Sequence, residues 1–250
     1  MWFSEWIHIF TSDKQKHMNP LIVITGGTKG IGKAIALAFA KHGFDVATCA
    51  RNETALSEFK SEIEDIGVQA FTYVKDLSIK TACQEFIDEI KKLKRPIDVL
   101  VNNTGIFLPG QIHNEEEGSL EQMIQTNLYS AYHITRGFIQ EMITLKKGHI
   151  FNICSTASIT PYINGGSYCI SKYAMYGMTK VLREEMKEHD VRVTAILPGA
   201  THTSSWDGVD VPEERFMKAS EVADVVWNCY QMSERTVIEE VVMRPQLGDL

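Results

Sequence analysis

Residues 167–180, SYCISKYAMYGMTK, contain the spacing Tyr-x-x-x-Lys twice, as Tyr168–Lys172 and Tyr176–Lys180. A phenol and an ammonium one helical turn apart can trade a proton with a substrate. A phenol alone, with a pKa of about 10, is a poor base at neutral pH. A neighbouring ammonium stabilises the phenolate and lowers that pKa, at about 1.4 kcal/mol per unit. The same spacing is also an ordinary helix face, so the elements around each pair must separate chemistry from packing.

A second stretch able to do chemistry is TGGTKGIGKA, residues 25–34. Gly27, Gly32 and Lys33 fit the phosphate-loop pattern G-x-x-x-x-G-K, but the next residue must give a hydroxyl to Mg²⁺ and is Ala34. The NTPase reading fails at that ligand. Gly26, Gly30 and Gly32 instead read as G-x-x-x-G-x-G between an apolar run and a helix. There glycines let backbone amides approach a pyrophosphate at the helix start. Sites of this kind for NAD place an acid after the second strand, whereas those for NADP place arginine there for the 2′-phosphate. This chain has Ala50 and Arg51, with Lys29 as a second cation inside the loop and Glu53 displaced into the next helix. The pattern favours NADP(H) over NAD.

These residues need a frame. Apolar runs at 21–25, 45–50, 69–74, 97–102, 149–154, 191–197 and 236–243 alternate with helical-period segments such as 30–42, 53–66, 78–93 and 167–188. Near-continuous apolar runs suit strands buried on both faces of a parallel sheet. Seven of them with intervening helices predict one α/β domain, a doubly wound parallel sheet with helices on both faces. Ligands then bind beyond the carboxyl ends of the strands. If the helix around 167 begins after the Asn-Gly-Gly of 164–166, Tyr168 and Lys172 lie beside those ends. Tyr176 would lie about 12 Å further along the axis and be rotated by roughly 80°.

Bulk composition excludes several classes. The net charge of −7, with acids and bases interspersed, shows no basic stripe for nucleic acid. Five scattered cysteines form no disulfide framework or zinc pattern, so no metal site and a cytoplasmic setting are expected. No apolar run is long enough to span a bilayer. Residues 1–19 form an extension in which Trp2, Phe3, Trp6, Ile7 and Phe10 share a helical face. Packing on this protein or a sister subunit, a membrane-surface helix, and a functional start at Met18 all remain readings of it. It lacks the basic start and cleavage site of a signal peptide.

From residue 20 to about 245 the chain resembles the short-chain dehydrogenase/reductase family. TGGTKGIG (25–32) is similar to that family's T-G-x-x-x-G-I-G, which adds Thr28 and Ile31 to the loop. DLS at 76–78 looks like its adenine-side acid, implying Asp76 and Leu77 near the adenine. NNTG at 102–105 is similar to N-N-A-G, implying Asn103 and Gly105 at the cofactor, with Thr104 in place of alanine. TNL at 126–128 supplies Asn127, and PGATHT at 198–203 implies Pro198, Gly199, Thr201 and Thr203 around the nicotinamide. The resemblance also implies a serine 13 residues before the working tyrosine. Ser155 meets this for Tyr168, whereas Tyr176 would require Ile163.

The implied chemistry is carbonyl reduction on a Rossmann-type domain spanning 20–250. Tyr168 is general acid in reduction and general base in oxidation, Lys172 also holds the nicotinamide ribose, and Ser155 orients the substrate oxygen. Asn127 would hold a water linking Lys172 to solvent. Residues 201–220, with Trp206 and Phe216, are expected to act as a short lid opposite Phe107, Ile159, Tyr162 and Ile163. The expected substrate is a small or medium, partly apolar carbonyl compound. By general appearance the nearest subfamily is the 3-oxoacyl-ACP reductases, with dehydrogenases of short 3-hydroxy acids second and a non-catalytic NADPH-binding protein third. Lys146 and Lys147 are the cations available to dock an acidic carrier. The resemblance implies a homodimer or homotetramer.

Overall fold

The computed structural model describes residues 18–206, 208 and 210–250. The aromatic-rich face expected within residues 1–17 lies outside them. Strand β1 (Leu21–Thr25) leads through the glycine loop into α1 (Gly30–Lys41), followed by β2 (Asp45–Ala50), α2 (Glu53–Asp65), β3 (Ala70–Val74) and α3 (Lys80–Lys92). Next come β4 (Val99–Asn102), the short α4 (Ser119–Met123), a π-helical turn at Ile124–Tyr129, α5 (Ser130–Leu145) and β5 (His149–Ile153). The chain ends with α6 (Gly166–Met186), β6 (Arg192–Pro198), α7 (Ala219–Gln231) and β7 (Glu240–Met243). All seven strands are parallel, in the order β3-β2-β1-β4-β5-β6-β7.

Strand alternation divides the core. Ile22, Ile24, Val46, Val99 and Val101 face α1, α2 and α7, where they meet Phe39, Phe59 and Val226. Leu21, Val23, Ala47 and Leu100 face α3, α5 and α6, where they meet Phe86, Phe138 and Leu182. Strands buried on both sides account for the unbroken apolar runs in the sequence. The run expected at 236–243 contributes to the sheet only from Glu240. Ahead of it, Ile238 O accepts from the Thr194 hydroxyl and Glu239 O from Ala195 N–H, so those residues follow β6 without extending β7.

Two polar clusters cross this apolar frame. On the α6 side, Asn102 Nδ2 donates to Thr135 Oγ1 and Asn152 Oδ1, each at 2.8 Å, and Asn152 Nδ2 donates to Thr179 Oγ1 at 2.9 Å. These bonds tie β4, β5, α5 and α6 together just below the carboxyl edge of the sheet. At the opposite edge, Asp45 accepts from Asn19 Nδ2, Gln69 N–H and Arg95 Nη1, the last at 2.7 Å. Asp45 and Arg95 side chains are 4% and 7% exposed. Removing one partner of a buried ion pair leaves the other charge uncompensated. Asp45→Ala is therefore expected to lower unfolding free energy by on the order of 3 kcal/mol, read by urea denaturation.

Candidate active site

Sheet order reverses between β1 and β4, so their carboxyl ends open a crevice. On its β1 side, Gly26 (φ +69°) and Gly30 (φ +54°) adopt left-handed backbone that glycine tolerates best. Lys33 is the first residue of α1 whose N–H returns to the loop, bonding Lys29 O. The N–H groups before it are the donors that a helix start exposes. Helix α1 has no side-chain cap and no acid in its first turn, which suits an anion there. Gly32 is confined: a Cβ would lie 2.4 Å from both Asn103 Nδ2 and Gly26 O.

Cations flank this cradle. Lys29 and Arg51 are exposed, and neither has a carboxylate partner among the described residues. Lys33, by contrast, pairs with Glu62 at 2.6 Å. Asn52 caps α2 by accepting from Ala55 N–H at 2.8 Å, so Glu53 enters the helix. The residues present therefore fit a phosphorylated dinucleotide. At the end of β3, Asp76 Oδ1 accepts from the N–H and the hydroxyl of Ser78. The Leu77 side chain belongs to the core beside Cys83 and Phe86, so its backbone is the part that would face an adenine.

The opposite wall is built on α6. Lys172 is 5% exposed and donates to Ile153 O at the end of β5, at 2.9 Å. Its Nζ lies 5.8 Å from the Tyr168 ring centroid. A Cβ on Gly105 would stand 3.7 Å from that Nζ and 3.3 Å from Asn127 Oδ1, so glycine keeps the ammonium approachable. Tyr168 is half-buried, its hydroxyl makes no hydrogen bond among the described residues, and Phe107 packs edge-on against its ring at 5.0 Å. Ser155 caps the turn at Thr156–Ser158: its Oγ accepts from Ala157 N–H at 3.1 Å, leaving its proton for another acceptor.

Asn127 lies on the π-helical turn, fully buried. Its Oδ1 accepts from Ile106 N–H at 2.7 Å, and its Nδ2 donates to Ile106 O and to Ser171 Oγ. Ser171 in turn donates to Tyr168 O at 2.8 Å. Thr25 Oγ1 accepts from both Asn103 N–H and Thr104 N–H, joining this wall to the glycine loop. Past Pro198, Gly199 N–H bonds Met243 O and Thr201 donates to Gly199 O. The Thr203 methyl would contact a Cβ on Gly30 at 3.1 Å, which brings residues 201–203 over the cradle. Ser158, Ser171 and the π turn carry no motif of their own and were not visible in the sequence.

Two features separate from the site. The Tyr176 hydroxyl donates to Glu240 Oε2 and Lys180 pairs with the same carboxylate at 3.4 Å, far along α6 beside β7. Burial and the Glu240 bond push the Tyr176 phenol up. Lys147, considered above as a docking cation, pairs with Asp98 at 2.7 Å. Asp98 precedes β4, so Lys146 and Lys147 lie at the amino edge of the sheet, away from this crevice within the chain.

Known proteins share this arrangement. Residues 20–213 match the family model described as short chain dehydrogenase. The chain belongs to the short-chain dehydrogenase/reductase family. It is 31% identical to a protein named sepiapterin reductase from Chlorobaculum tepidum, over 93% of this chain and 99% of that one. A 3-oxoacyl-[acyl-carrier-protein] reductase from Buchnera aphidicola is also 31% identical, over 81% and 86%. A metagenomic short-chain oxidoreductase solved in complex with NADP superimposes with a TM-score of 0.81 at 31% identity, covering 92% of this chain and 98% of that one. Among the described residues no helix is long and apolar enough to cross a membrane, and no group of three or more His, Cys, Asp or Glu could hold a metal.

The crowding at Gly32 yields a direct test. Gly32→Ala must displace Asn103 or the Gly26 carbonyl, and is expected to weaken dinucleotide binding by at least about tenfold, measured by quenching of tryptophan fluorescence.

Proposed function

We propose that this NADP-dependent short-chain dehydrogenase/reductase reduces a small or medium, partly apolar carbonyl compound to an alcohol, with Tyr168 as proton donor. The substrate class is 3-oxoacyl thioester-like and free in solution. The observation that carries the reading is the pairing of two hydroxyls that donate to nothing among the described residues, Tyr168 and Ser155, with a buried ammonium that has one protein acceptor among them. When bound, the cofactor supplies a hydride for the carbonyl carbon. Ser155 donates a hydrogen bond to the substrate oxygen and stabilises charge developing there. Tyr168 gives that oxygen its proton, and the Lys172 ammonium offsets the negative charge left on the phenol. Asn127 holds Ile106 and, through Ser171, the Tyr168 backbone, and so keeps the two walls in register.

The charge of two segments joined to the site supports a free substrate over a carrier-borne one. Glu115, Glu116 and Glu117 lie on the segment joined to the start of α6, and Glu213 and Glu214 lie on the 201–220 segment, which also holds Arg215 and Lys218. An acidic carrier would meet like charge there. Trp206 and Phe216, with ring centroids 5.0 Å apart, give that segment an apolar face suited to a substrate lid. A homo-oligomer formed through the long helices α5 and α6 belongs to the same proposal, and a monomer by light scattering would exclude it.

Tyr168→Phe is expected to lower kcat by about 10²-fold or more, whereas Tyr176→Phe keeps kcat within about twofold. The assay is NADPH oxidation with an acetoacetyl thioester, a free 3-oxo acid, an aldehyde and, following the name of one relative, sepiapterin. Full activity in Tyr168→Phe would exclude the mechanism. Arg51→Ala is expected to raise the KM for NADPH by about tenfold and leave that for NADH unchanged, because only the former carries the 2′-phosphate.

A further inference from the structure

Helix α6 has no cap of its own. Its N-cap is Gly165, which has no side chain to accept from the first-turn N–H groups. An acceptor arrives from 52 positions earlier: Ser167 N–H donates to Glu115 Oε2 at 3.3 Å, and the Ser167 hydroxyl donates to Oε1 of the same carboxylate. Backbone bonds secure the junction. Gly110 N–H donates to Asn164 O at 3.0 Å, Gly110 and Gly165 form a parallel bridge, and Gln111 Nε2 donates to Asn164 Oδ1 at 3.0 Å. The fit is close: a Cβ at Gly166 would lie 2.7 Å from Gly110 O and 2.9 Å from Glu115 Oε2. Ser167 is buried, and the next residue is Tyr168.

We propose that Glu115 is a positioning residue for the reaction: its carboxylate holds the first turn of α6 and so aims the Tyr168 phenol at the substrate oxygen. This rests on Tyr168 being the proton donor. From the C-terminal side Tyr168 is already fixed, through Ser171 to Tyr168 O and through Lys172 to β5. The preceding turn depends on the Glu115 clamp, because an uncapped helix start frays. A carboxylate there also complements the positive end of the helix. The clamped segment continues from Phe107, whose ring packs on Tyr168, so one carboxylate restrains both the phenol and its neighbour. An error of about 1 Å in the placement of a catalytic group can cost about 10²-fold in rate.

The test compares Glu115→Ala and Glu115→Gln with Tyr168→Phe in the full-length enzyme. Glutamine can keep both contacts, accepting from the Ser167 N–H and donating to its hydroxyl oxygen. Glu115→Ala is expected to lower kcat by about tenfold, keep NADPH Kd within about twofold and raise the primary isotope effect with C4-deuterated NADPH, as chemistry becomes slower. Glu115→Gln should recover kcat to within about threefold of wild type. An unchanged kcat in Glu115→Ala would overturn the proposal. So would a lowered kcat with a wild-type isotope effect, because that result reports fewer folded molecules and not a misplaced phenol. If Tyr168→Phe stays active, the reading of Tyr168 falls and this inference falls with it; if only the Glu115 results fail, that reading stands.

Discussion

The site depends on one buried ammonium. Lys172 is almost fully removed from water, and among the described residues its hydrogen-bond partner is a neutral carbonyl, Ile153 O, rather than a carboxylate. Burying a cation in this way costs free energy that a counter-charge would partly offset. A carboxylate at that place would also take up the donors that the Ile153 bond leaves over. A lysine has three donors, and the bond to β5 uses one. The absence of a side chain at Gly105 leaves the approach to Nζ open. The surrounding bonds from Asn102 through Asn152 to Thr179 hold β4, β5 and α6 at the spacing this requires.

The two Tyr-x-x-x-Lys pairs share a spacing but not a placement. Both pairs stand on one helix, about two turns apart along the axis and rotated by roughly 80° about it. The first meets the ends of β4 and β5, where strands stop and backbone carbonyls such as Ile153 O become available. The second passes along the flank of β7, where Glu240 accepts from Tyr176 and pairs with Lys180. A committed hydroxyl beside a carboxylate cannot readily give up its proton, and burial pushes it in the same direction. That second pair acts as a brace between α6 and the edge of the sheet, joined by Arg183 on Glu239 at 3.1 Å.

Much of this was legible in the sequence, for identifiable reasons. Strands buried on both faces leave unbroken apolar runs, so β1 and β2 were read to the residue and the others to within two at either end, apart from β7. There the apolar run continued through residues whose carbonyls are taken by the Thr194 hydroxyl and the Ala195 N–H, a condition no periodicity records. The glycine loop was legible because its glycines answer to backbone angles and close contacts. Motif position puts Leu77 on the adenine side but does not say which part of it is free, and its apolar side chain packs beside Phe86 and Cys83. Lys146 and Lys147 are the lysines that the sequence offers for docking, and nothing in it tells the amino edge of the sheet, where they lie, from the carboxyl edge. The π turn at Asn127 and the carboxylate clamp on Ser167 arise from contacts across the fold, and such contacts leave no local pattern.

Charge along the carboxyl edge of the sheet is divided, and the division bears on what can enter. At the β1–β2 end, Lys29 and Arg51 have no carboxylate partner among the described residues and stand beside an uncapped helix start, a place for phosphate. At the α6 end, Glu115 is held on Ser167, the residue before Tyr168, and Glu116 and Glu117 follow it as exposed residues of the same segment. An elongated ligand with one polyanionic end is therefore directed with that end toward β2. On the proposed reading, a neutral carbonyl compound meets less like charge beside Glu115 than an anionic one. Phe107, edge-on to the Tyr168 ring, gives such a molecule an apolar surface to lie against. The carboxylate that meets the first turn of α6 belongs to this acidic segment, so the same side chain that adds negative charge near Tyr168 also bonds the residue before it.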